Sequence, residues 1–513
     1  MSGGFIRFTS QSARVTRASR ASERPFQPSW TDEDALADRL TAIDDATDVA
    51  VLDFDETLWL RNSTEAFLAS ARPYVLVAVV LQILGQIKPW RLLSRSNPEH
   101  YRDWIRIAAV LIVAPWSYFT WRRTAARIGP AYANRPLMRA LGQVRPGRIV
   151  VATYGFRFIV APLLKAIDPD YALVAAASLR RGAALRRIGK GRAVADAIGA
   201  DTLSRGVAVT DSGIDRDLCV LCRDAFYVRW RDAEYRQAGL TPMLPLAYTA
   251  RVKRPTERYV LHGIIGYDFA VLWLAYALMS PALFTTTAAL GLYLLAFFAV
   301  YEIGYYDNDR VGLARESAPV VSPQFTELGH HFRPRWAWAF GLILAGLGAC
   351  MQSWGDPAAV TKAGPLSGWA LVGWRWAMAA VLLGVTRLTF LWFNALSPKL
   401  RIVPMLVLQV ERTLGYALLF AIDTAGAILC VAHAIGRWVP YVIYRFGGQR
   451  ADFPAHIATF IVFLMFFPIA ILTDRQPVTE ALTIEFYVIA LYLAVRAAKD
   501  LHSFRRKTAA VVA

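Results

Sequence analysis

The stretch Val49-Ala50-Val51-Leu52-Asp53-Phe54-Asp55-Glu56-Thr57-Leu58 decides the fold of the first half of this chain. Its apolar run is typical of a buried strand and ends in two aspartates, one residue apart. Because side chains alternate along a strand, Asp53 and Asp55 are predicted to point the same way, with Phe54 on the opposite face. Two carboxylates this close repel each other unless a cation lies between them. With Mg²⁺, one can be an ionised nucleophile and the other an acid and base. The alternative is a solvated acidic turn.

Composition divides the chain into two parts. Its 513 residues are too many for one ordinary domain, and 56% of them are hydrophobic. Arg-rich segments alternate with strand and helix patterns in the first half, whereas long apolar runs dominate after about Tyr259. We therefore predict a cytoplasmic domain followed by a polytopic domain in the cell (inner) membrane. The net charge of +18 suits loops that face an anionic leaflet. Nucleic-acid binding is not favoured, because no nucleic-acid motif accompanies the charge.

Three further strand patterns follow the first one, at Gly147–Thr153, Tyr171–Ala177 and Arg205–Thr210, with helical patterns between them. Strands that alternate with helices predict an α/β domain with a parallel sheet, whose ligands gather at the carboxyl ends of the strands. Polar residues stand at these ends or just before a helix, namely Thr153, Lys190, Asp211, Ser212 and Asp215.

From about Val49 to Trp230 the chain resembles the phosphatase branch of the haloacid dehalogenase (HAD) superfamily, whose Asp-x-Asp-x-Thr signature matches Asp53 to Thr57. The resemblance implies a Rossmann-like α/β domain in which Asp53 is the nucleophile and Asp55 the general acid and base. It implies that Thr153 hydrogen-bonds the phosphoryl group and that Lys190 offsets negative charge. It implies Mg²⁺ as the cofactor, bound by Asp53, Asp55, Asp211 and Asp215, with Thr57 and Ser212 near the substrate. Glu56 stands where the family more commonly has glycine.

Residues of about 62–148 would form the helical cap of such a domain. Its tryptophans and apolar stretches suggest an amphiphilic or membrane-held substrate, and a cap that packs its own core or rests on the membrane half is the alternative. The stretches Tyr74–Ile87 and Ile107–Phe119 are short for a span of about 20 residues. We predict interfacial or re-entrant helices there.

The second half contains about eight candidate spans. They are Tyr259–Phe284, Thr287–Ile303, Trp336–Trp354, Gly368–Phe393, Ile402–Ile422, Ala425–Tyr444, Ile457–Leu472 and Thr483–Ala498. Basic residues cluster after the even-numbered spans, which places those loops and the first domain in the cytoplasm. We divide the chain into a basic disordered tail (1–30), a hydrolase-like domain (31–240), a linker (241–257), a membrane domain (258–500) and a basic cytoplasmic tail (501–513).

The second span ends in an acidic segment, Tyr301-Glu302-Ile303-Gly304-Tyr305-Tyr306-Asp307-Asn308-Asp309-Arg310. Acids at the mouth of a membrane helix are costly unless they serve a purpose such as cation binding. Helical spacing predicts Glu302, Tyr305 or Tyr306, and Asp309 on one face, as a Mg²⁺–diphosphate site requires. The alternative is an ordinary loop that begins early.

This half resembles the UbiA superfamily of intramembrane prenyltransferases, especially members fused behind a hydrolase domain. The family's Asn-Asp-x-x-Asp-x-x-x-Asp motif aligns with Tyr301 to Asp309, where Tyr301, Glu302 and Tyr305 depart from it. The resemblance implies an all-α bundle of about eight or nine spans, with Glu302 and Asp309 as metal ligands. It implies the substrate-binding residues Tyr301, Tyr305, Asp307, Arg310, Lys399, Arg401, Tyr441 and Arg445. The second acidic motif of the family is not apparent near Tyr441, where some relatives that use phosphoribosyl diphosphate have basic residues and tyrosine.

Taken together, these resemblances imply a bifunctional membrane enzyme. The UbiA-like half would join an isoprenoid or polyprenyl lipid to a diphosphate-bearing donor, and the HAD half would remove a phosphate from the lipid-linked product. One alternative is a membrane-anchored phosphatase whose second half is a non-catalytic lipid-binding scaffold. A transporter is less favoured, because no matching pair of Gly/Pro-broken spans is present. The donor, the acceptor and the oligomeric state are not determined by the sequence.

Overall fold

A computed structural model of the chain describes residues 29–41, 49–94, 96–144, 148–316, 319–361, 364–450, 453–474 and 482–512. The chain divides into two compact units, Met1–Gly239 and Leu240–Ala513. The tail predicted for residues 1–30 lies outside the described residues except for its last two. Residues 241–257, predicted as a linker, belong to the second unit, where Tyr248 and Val252 are fully buried.

The first unit is built on a six-stranded parallel sheet. Its strands are β1 (Trp30–Thr31), β2 (Ala50–Leu52), β3 (Ile149–Phe156), β4 (Ala172–Ala177), β5 (Val207–Thr210) and β6 (Asp224–Val228). Their order across the sheet is β1-β6-β5-β2-β3-β4. The predicted parallel α/β sheet is confirmed, and the short strand β2 lies at its centre between β3 and β5.

Helices connect the strands of this unit. They are α1 (Glu33–Thr41), α2 (Ser63–Ser70), α3 (Tyr74–Ile87), α4 (Arg102–Val113), α5 (Ser117–Ile128), α6 (Arg135–Val144), α7 (Arg157–Ile167), α8 (Ala184–Ile188), α9 (Lys190–Ile198), α10 (Ala200–Ser204) and α11 (Arg216–Cys219). Both faces of the sheet are covered, as is usual for parallel sheets. Leu52 packs into one apolar cluster with Ile159 and Leu163, and Val51 packs into another with Val194 and Leu203.

The inserted segment between β2 and β3 consists mainly of helices joined by short turns in its described residues. Helix α3 has 14 residues, and the helical segments Pro98–Val113 and Ser117–Ile128 form a pair bent by 112° at residues 114–116. Apolar side chains on these elements are exposed, among them Ile87, Ile112 and Phe119. A bent pair of this kind is a broken span or a re-entrant element. The prediction of interfacial or re-entrant helices therefore stays a prediction.

The second unit is mostly helical. After two π-helical segments, Thr249–Lys253 and Val260–Phe269, it contains α12 (Ala270–Tyr276), α13 (Leu283–Arg315), α14 (Gln324–Leu328), α15 (Pro334–Gly355), α16 (Gly368–Ala395), α17 (Ile402–Glu411), α18 (Thr424–Arg445), α19 (Ala455–Asp474) and α20 (Ile484–Val512). A two-stranded antiparallel ribbon, β7 (Ala358–Thr361) and β8 (Gly364–Ser367), joins α15 to α16.

Five helices of the described part of this unit are long and apolar enough to span a membrane. They are Leu283–Arg315, Pro334–Gly355, Gly368–Ala395, Thr424–Arg445 and Ala455–Thr473. The chain is therefore a membrane protein by the length and composition of its helices. The predicted count of about eight or nine spans is not confirmed. The first predicted span is a shorter helix over Val260–Tyr276, and the fifth ends at Glu411.

Candidate functional site

The polar strand ends that the sequence singled out meet at the centre of the first unit. Strand β2 pairs with β3 through Leu52 and Val151 and with β5 through Leu52 and Val209. The backbone N–H of Asp53 still donates to the carbonyl of Val209, at 3.0 Å. Because three adjacent parallel strands end together, the residues that follow them share one edge of the sheet.

Lys190 is the centre of a buried charge cluster at this edge. Its side chain is 1% exposed, and Nζ donates to Asp53 Oδ1 at 2.8 Å and to Asp215 Oδ2 at 2.7 Å. Burial alone lowers the pKa of a lysine, but the carboxylates of Asp53 and Asp215 outweigh that effect and raise the pKa of Lys190. Lys190 therefore stays charged and fixes Asp53 Oδ1, which also accepts from the Phe54 N–H at 2.8 Å.

Asp55 lies beside this cluster. Its Oδ1 accepts the N–H of Ser63, the first residue of α2, at 2.5 Å. Burial raises the pKa of Asp55 to about 6, although the Ser63 N–H and Lys190 act in the opposite direction. A carboxyl group with this pKa exchanges protons near neutral pH, as a general acid and base must.

The remaining predicted residues of this unit are close to the same edge. Thr57 Oγ1 donates to Asp211 Oδ1 at 3.1 Å and accepts the Asp211 N–H at 3.0 Å. Thr153 is buried, and its hydroxyl accepts the N–H of Gly155 at 2.9 Å. Ser212 caps the next turn through its own hydroxyl, which accepts the Ile214 N–H at 3.3 Å. Thr57 therefore orients Asp211, whereas Ser212 is engaged with the local backbone.

The charge at this edge is not balanced. Four carboxylates, those of Asp53, Asp55, Asp211 and Asp215, surround the single ammonium group of Lys190, and burial also raises the pKa of Asp211. Within the described ranges, no three His, Cys, Asp or Glu side chains are placed to hold a metal ion by themselves. Mg²⁺ commonly takes one or two carboxylates and completes its shell with water and substrate phosphate. The predicted ligands Asp53, Asp55, Asp211 and Asp215 are therefore not assembled into one complete cation site, and Mg²⁺ bound by fewer of them stays a prediction.

Two supporting features escaped the sequence reasoning. Thr210 Oγ1 donates to Asp215 Oδ2 at 2.7 Å, so Asp215 is shared between Thr210 and Lys190. Thr210 is the last residue of β5 and directly precedes Asp211, and this position was a signal that could have identified it. The other feature is a buried pair in which Arg106 Nη1 and Nη2 donate to both oxygens of Glu65, at 2.6 and 2.8 Å.

The backbone at Glu56 adopts a conformation that favours glycine. Glu56 has φ of 59°, which is the left-handed region. A residue with a Cβ pays a conformational cost in this region, and glycine does not. The chain accepts the cost at a turn in which the Glu56 N–H donates to the Trp59 carbonyl at 2.8 Å.

In the second unit, the two predicted metal ligands Glu302 and Asp309 are buried on α13. Glu302 accepts the backbone N–H groups of Leu246 and Thr249, at 3.1 and 2.6 Å. Asp309 accepts the Tyr248 hydroxyl at 2.8 Å and pairs with Lys253 Nζ at 2.5 Å. Both carboxylates therefore bind the segment 246–253. Tyr306 lies on their side of the helix, against Tyr248.

Tyr301 and Tyr305 occupy a different side of α13. Both line a cavity of about 1450 Å³ within the second unit, and Glu302 and Asp309 do not line it. Of the other predicted substrate-binding residues, Arg401, Tyr441 and Arg445 also line this cavity. Asp307 instead pairs with Arg387 at 2.5 Å, Arg310 is exposed over the Tyr306 ring, and Lys399 is exposed. The structure thus divides the predicted residue set into a cavity group and a group outside it.

Sequence reasoning also missed the group that holds two arginines of the cavity wall, Arg412 and Arg437. A buried aspartate, Asp268, binds the guanidinium groups of Arg412 and Arg437, and the same two groups donate to the Tyr259 hydroxyl at 3.2 and 3.4 Å. An aspartate inside an apolar helical segment was the available signal, because a buried charge in such a segment needs a partner.

Comparisons of the chain with protein-family models, with curated proteins and with solved structures give no match.

Proposed function

We propose that the first unit is a Mg²⁺-dependent phosphomonoesterase of the HAD type. The observation that carries this proposal is the buried Lys190, bonded to both Asp53 and Asp215 next to a half-buried Asp55. Such an arrangement supplies a nucleophile, a fixed positive charge and a proton donor at one point. A purely structural ion pair does not require the adjacent carboxyl group with a pKa of about 6.

The side chains suit a two-step reaction. Lys190 holds Asp53 Oδ1, and among the described residues no donor is bonded to Oδ2, which is the oxygen that attacks phosphorus. The phosphorus–oxygen ester bond breaks as Asp55 gives its proton to the leaving alkoxide. Ionised Asp55 then takes a proton from water as the water oxygen attacks phosphorus, which releases phosphate and restores Asp53. Mg²⁺, held by Asp53 and Asp211, would neutralise charge on the phosphate oxygens when bound.

Phosphate release tests this proposal. The full chain in detergent micelles with Mg²⁺ is compared with Asp53→Asn and with Asp201→Asn, which replaces an exposed aspartate of α10. The substrates are soluble sugar phosphates and lipid-linked phosphosugars. We expect release by the wild type and by Asp201→Asn, with at least a thousandfold loss in Asp53→Asn. Equal release by all three proteins, or none by the wild type, would remove the assignment.

We further propose a transferase function for the second unit, which joins an isoprenoid or polyprenyl lipid to a diphosphate-bearing donor such as phosphoribosyl diphosphate. The observation that favours it is the cavity of about 1450 Å³, whose walls carry both arginines and aromatic side chains. A membrane unit that served only as an anchor does not require a large polar cavity. In this proposal the first unit lies on the cytoplasmic side of the cell (inner) membrane and hydrolyses the phosphorylated lipid product.

Product formation separates the transferase from the non-catalytic scaffold. Asp53→Asn protein, in which the first unit is silenced, is incubated with a polyprenyl phosphate and radiolabelled phosphoribosyl diphosphate. A labelled lipid product that requires the protein is expected. If the polyprenyl phosphate binds but no labelled lipid forms, the second unit is a lipid-binding scaffold.

A further inference from the structure

The acidic residues predicted to hold Mg²⁺ in the second unit are unsuited to that task. Glu302 and Asp309 are 1% and 2% exposed, and each accepts two protein donors. All four donors come from the segment 246–253. Neither carboxylate lines the cavity. Their role in the fold is therefore to fasten this segment to α13, and they do not present a carboxylate oxygen to a ligand in the cavity.

The cavity wall itself carries an excess of positive charge. Five of its cationic residues have carboxylate partners, namely Lys253, Arg254, Arg401, Arg412 and Arg437. Since Arg412 and Arg437 share Asp268, these five cations have only four carboxylates between them.

Three more arginines of the wall have no carboxylate partner among the described residues. Arg445 Nε donates to the Tyr441 hydroxyl at 2.7 Å, and the Arg450 guanidinium lies 4.6 Å from the centre of the Tyr444 ring. Arg496 contacts His456 Nε2 at 3.4 Å and the Tyr267 ring at 4.4 Å. Hydroxyl and aromatic contacts position these groups but do not neutralise them, so their charge is available to a ligand.

Asp268 holds two of the cavity arginines, Arg412 and Arg437, in a fixed geometry. Arg437 Nη2 donates to Asp268 Oδ1 at 2.8 Å while Arg412 binds Oδ2, and Asp268 is 1% exposed. Arg412 is itself 2% exposed, and its Nε has no partner in the described part of the chain. A guanidinium group held in this way is already oriented before a ligand arrives, which lowers the entropic cost of binding.

We infer that this cavity binds a phosphate or diphosphate group directly through its arginines, without a divalent cation. Guanidinium groups present planar pairs of donors that match phosphate oxygens and bind them more strongly than neutral donors do. Excess positive charge in a unit that enters a membrane is costly until an anion offsets it. A neutral isoprenoid tail does not supply that anion. The inference rests on the transferase proposal for its biological setting, but the anion site stands on the cavity alone.

Binding in the presence of EDTA tests this inference. The full chain carrying Asp53→Asn is titrated calorimetrically, in micelles, with phosphoribosyl diphosphate and, separately, with a polyprenyl phosphate. The same titrations use the double variant Arg445→Gln/Arg450→Gln, whose arginines have no ion-pair partner to lose in the described residues. Arg333→Gln, an exposed arginine outside the cavity, is the matched control. The phosphate affinity of the first unit is the same in all these proteins, so a difference between them belongs to the second unit.

We expect binding in EDTA that weakens at least tenfold in the double variant and is unchanged in Arg333→Gln. Binding of the soluble diphosphate alone would assign the anion to the donor, and binding of the lipid alone would assign it to the acceptor headgroup; both support the site. Binding that needs Mg²⁺, or that the double variant retains in full, would overturn the inference. Binding in EDTA that the double variant weakens, but without any labelled lipid product, would overturn only the transferase function. Unchanged unfolding temperatures verify that the variants are folded.

Discussion

At the scale of single residues, Lys190 is the centre of the chemistry that we propose for the first unit. Its ammonium group binds Oδ1 of Asp53 and is itself held by Asp215, which leaves Oδ2 of Asp53 for the proposed attack on phosphorus. The sequence identified Lys190 only through the family resemblance, because three arginines lie within four residues of it. The structure distinguishes them by burial, which a linear pattern does not encode. Thr210 was missed because the sequence does not show that its hydroxyl bonds to Asp215, five residues further along the chain.

Thr210 gives the first prediction at this scale. Thr210→Val keeps the shape of the side chain but removes the hydrogen bond to Asp215, and a bond to a charged group contributes about 1.5–3 kcal/mol. We expect kcat for phosphate release to fall about ten- to a hundredfold, with KM nearly unchanged, because Lys190 loses its orientation. Thr210→Ser retains the hydroxyl and should retain most of the activity. Equal loss in both variants, or a loss of stability that accounts for the change, would contradict this role.

At the scale of elements, α9 carries Lys190 to the sheet by a close approach to the chain at Asp217. A Cβ on Gly191 would lie 2.3 Å from the Asp217 carbonyl oxygen, and the Gly191 N–H donates to Asp217 Oδ2 at 2.8 Å. The alanine-rich helix was predicted from the sequence, but this contact was not, because it joins residues 26 positions apart.

Gly191→Ala should therefore displace the start of α9 and lower phosphate release at least tenfold. Overpacking of this kind typically costs 1–3 kcal/mol of stability. Gly142→Ala is the matched control, because a Cβ there meets open space on α6, and alanine should stabilise that helix by about 1 kcal/mol. Thermal unfolding and phosphate release are measured on both. Full activity in Gly191→Ala would show that α9 does not need this close packing to position Lys190.

A second pair of elements is joined by a buried ion pair. Glu65 on α2 accepts both Arg106 nitrogens from α4, as well as the Tyr235 hydroxyl and the Ala238 N–H at 3.0 and 2.8 Å. Although burial acts to raise it, the pKa of Glu65 is lowered by Arg106 and these donors. Since the folded-state pKa lies below the unfolded one, the linked stability is present above about pH 4.3 and is lost as pH falls through the folded value.

Glu65→Gln should cost about 3 kcal/mol at pH 7, because it leaves the buried Arg106 with only the partly exposed Asp103, at 3.4 Å, as a charge partner. The difference in the free energy of unfolding between this variant and the wild type should shrink below about pH 4. Hydrogen exchange of the Arg102–Val113 amides measures this change in stability for the first unit alone. Glu234→Gln, which breaks an exposed ion pair, should change exchange little at either pH. A wild-type advantage that is independent of pH would contradict the linkage.

At the scale of the whole molecule, periodicity and composition predicted both classes of structure in this chain. The parallel sheet was predictable because each strand is a short apolar run with a polar end. The span count was not, because apolar content does not reveal where a helix breaks, as at Val260–Tyr276 and Glu411. The cavity was not predicted either. Its arginines are dispersed over residues 254–496, and only the packing of several helices brings them together.

The bifunctional account predicts that the two activities separate by mutation. With a polyprenyl phosphate and phosphoribosyl diphosphate as substrates, Asp53→Asn should accumulate the phosphorylated lipid product, since synthesis continues and hydrolysis stops. Arg445→Gln/Arg450→Gln should form little lipid product, because synthesis is impaired. It should still release phosphate from a supplied lipid-linked phosphosugar. Thin-layer chromatography of labelled lipids measures both. Simultaneous loss of both activities in either variant would contradict two independent sites.

The central claim is that Asp53 is phosphorylated during turnover. Wild-type protein is quenched in acid during phosphate release and reduced with borohydride, which converts an aspartyl phosphate to homoserine. Mass spectrometry of the peptide that contains Asp53 then reads the modified position. We predict homoserine at residue 53 in the wild type and none in Asp53→Asn, which has no carboxylate to phosphorylate. Phosphate release without homoserine at residue 53 would contradict the account.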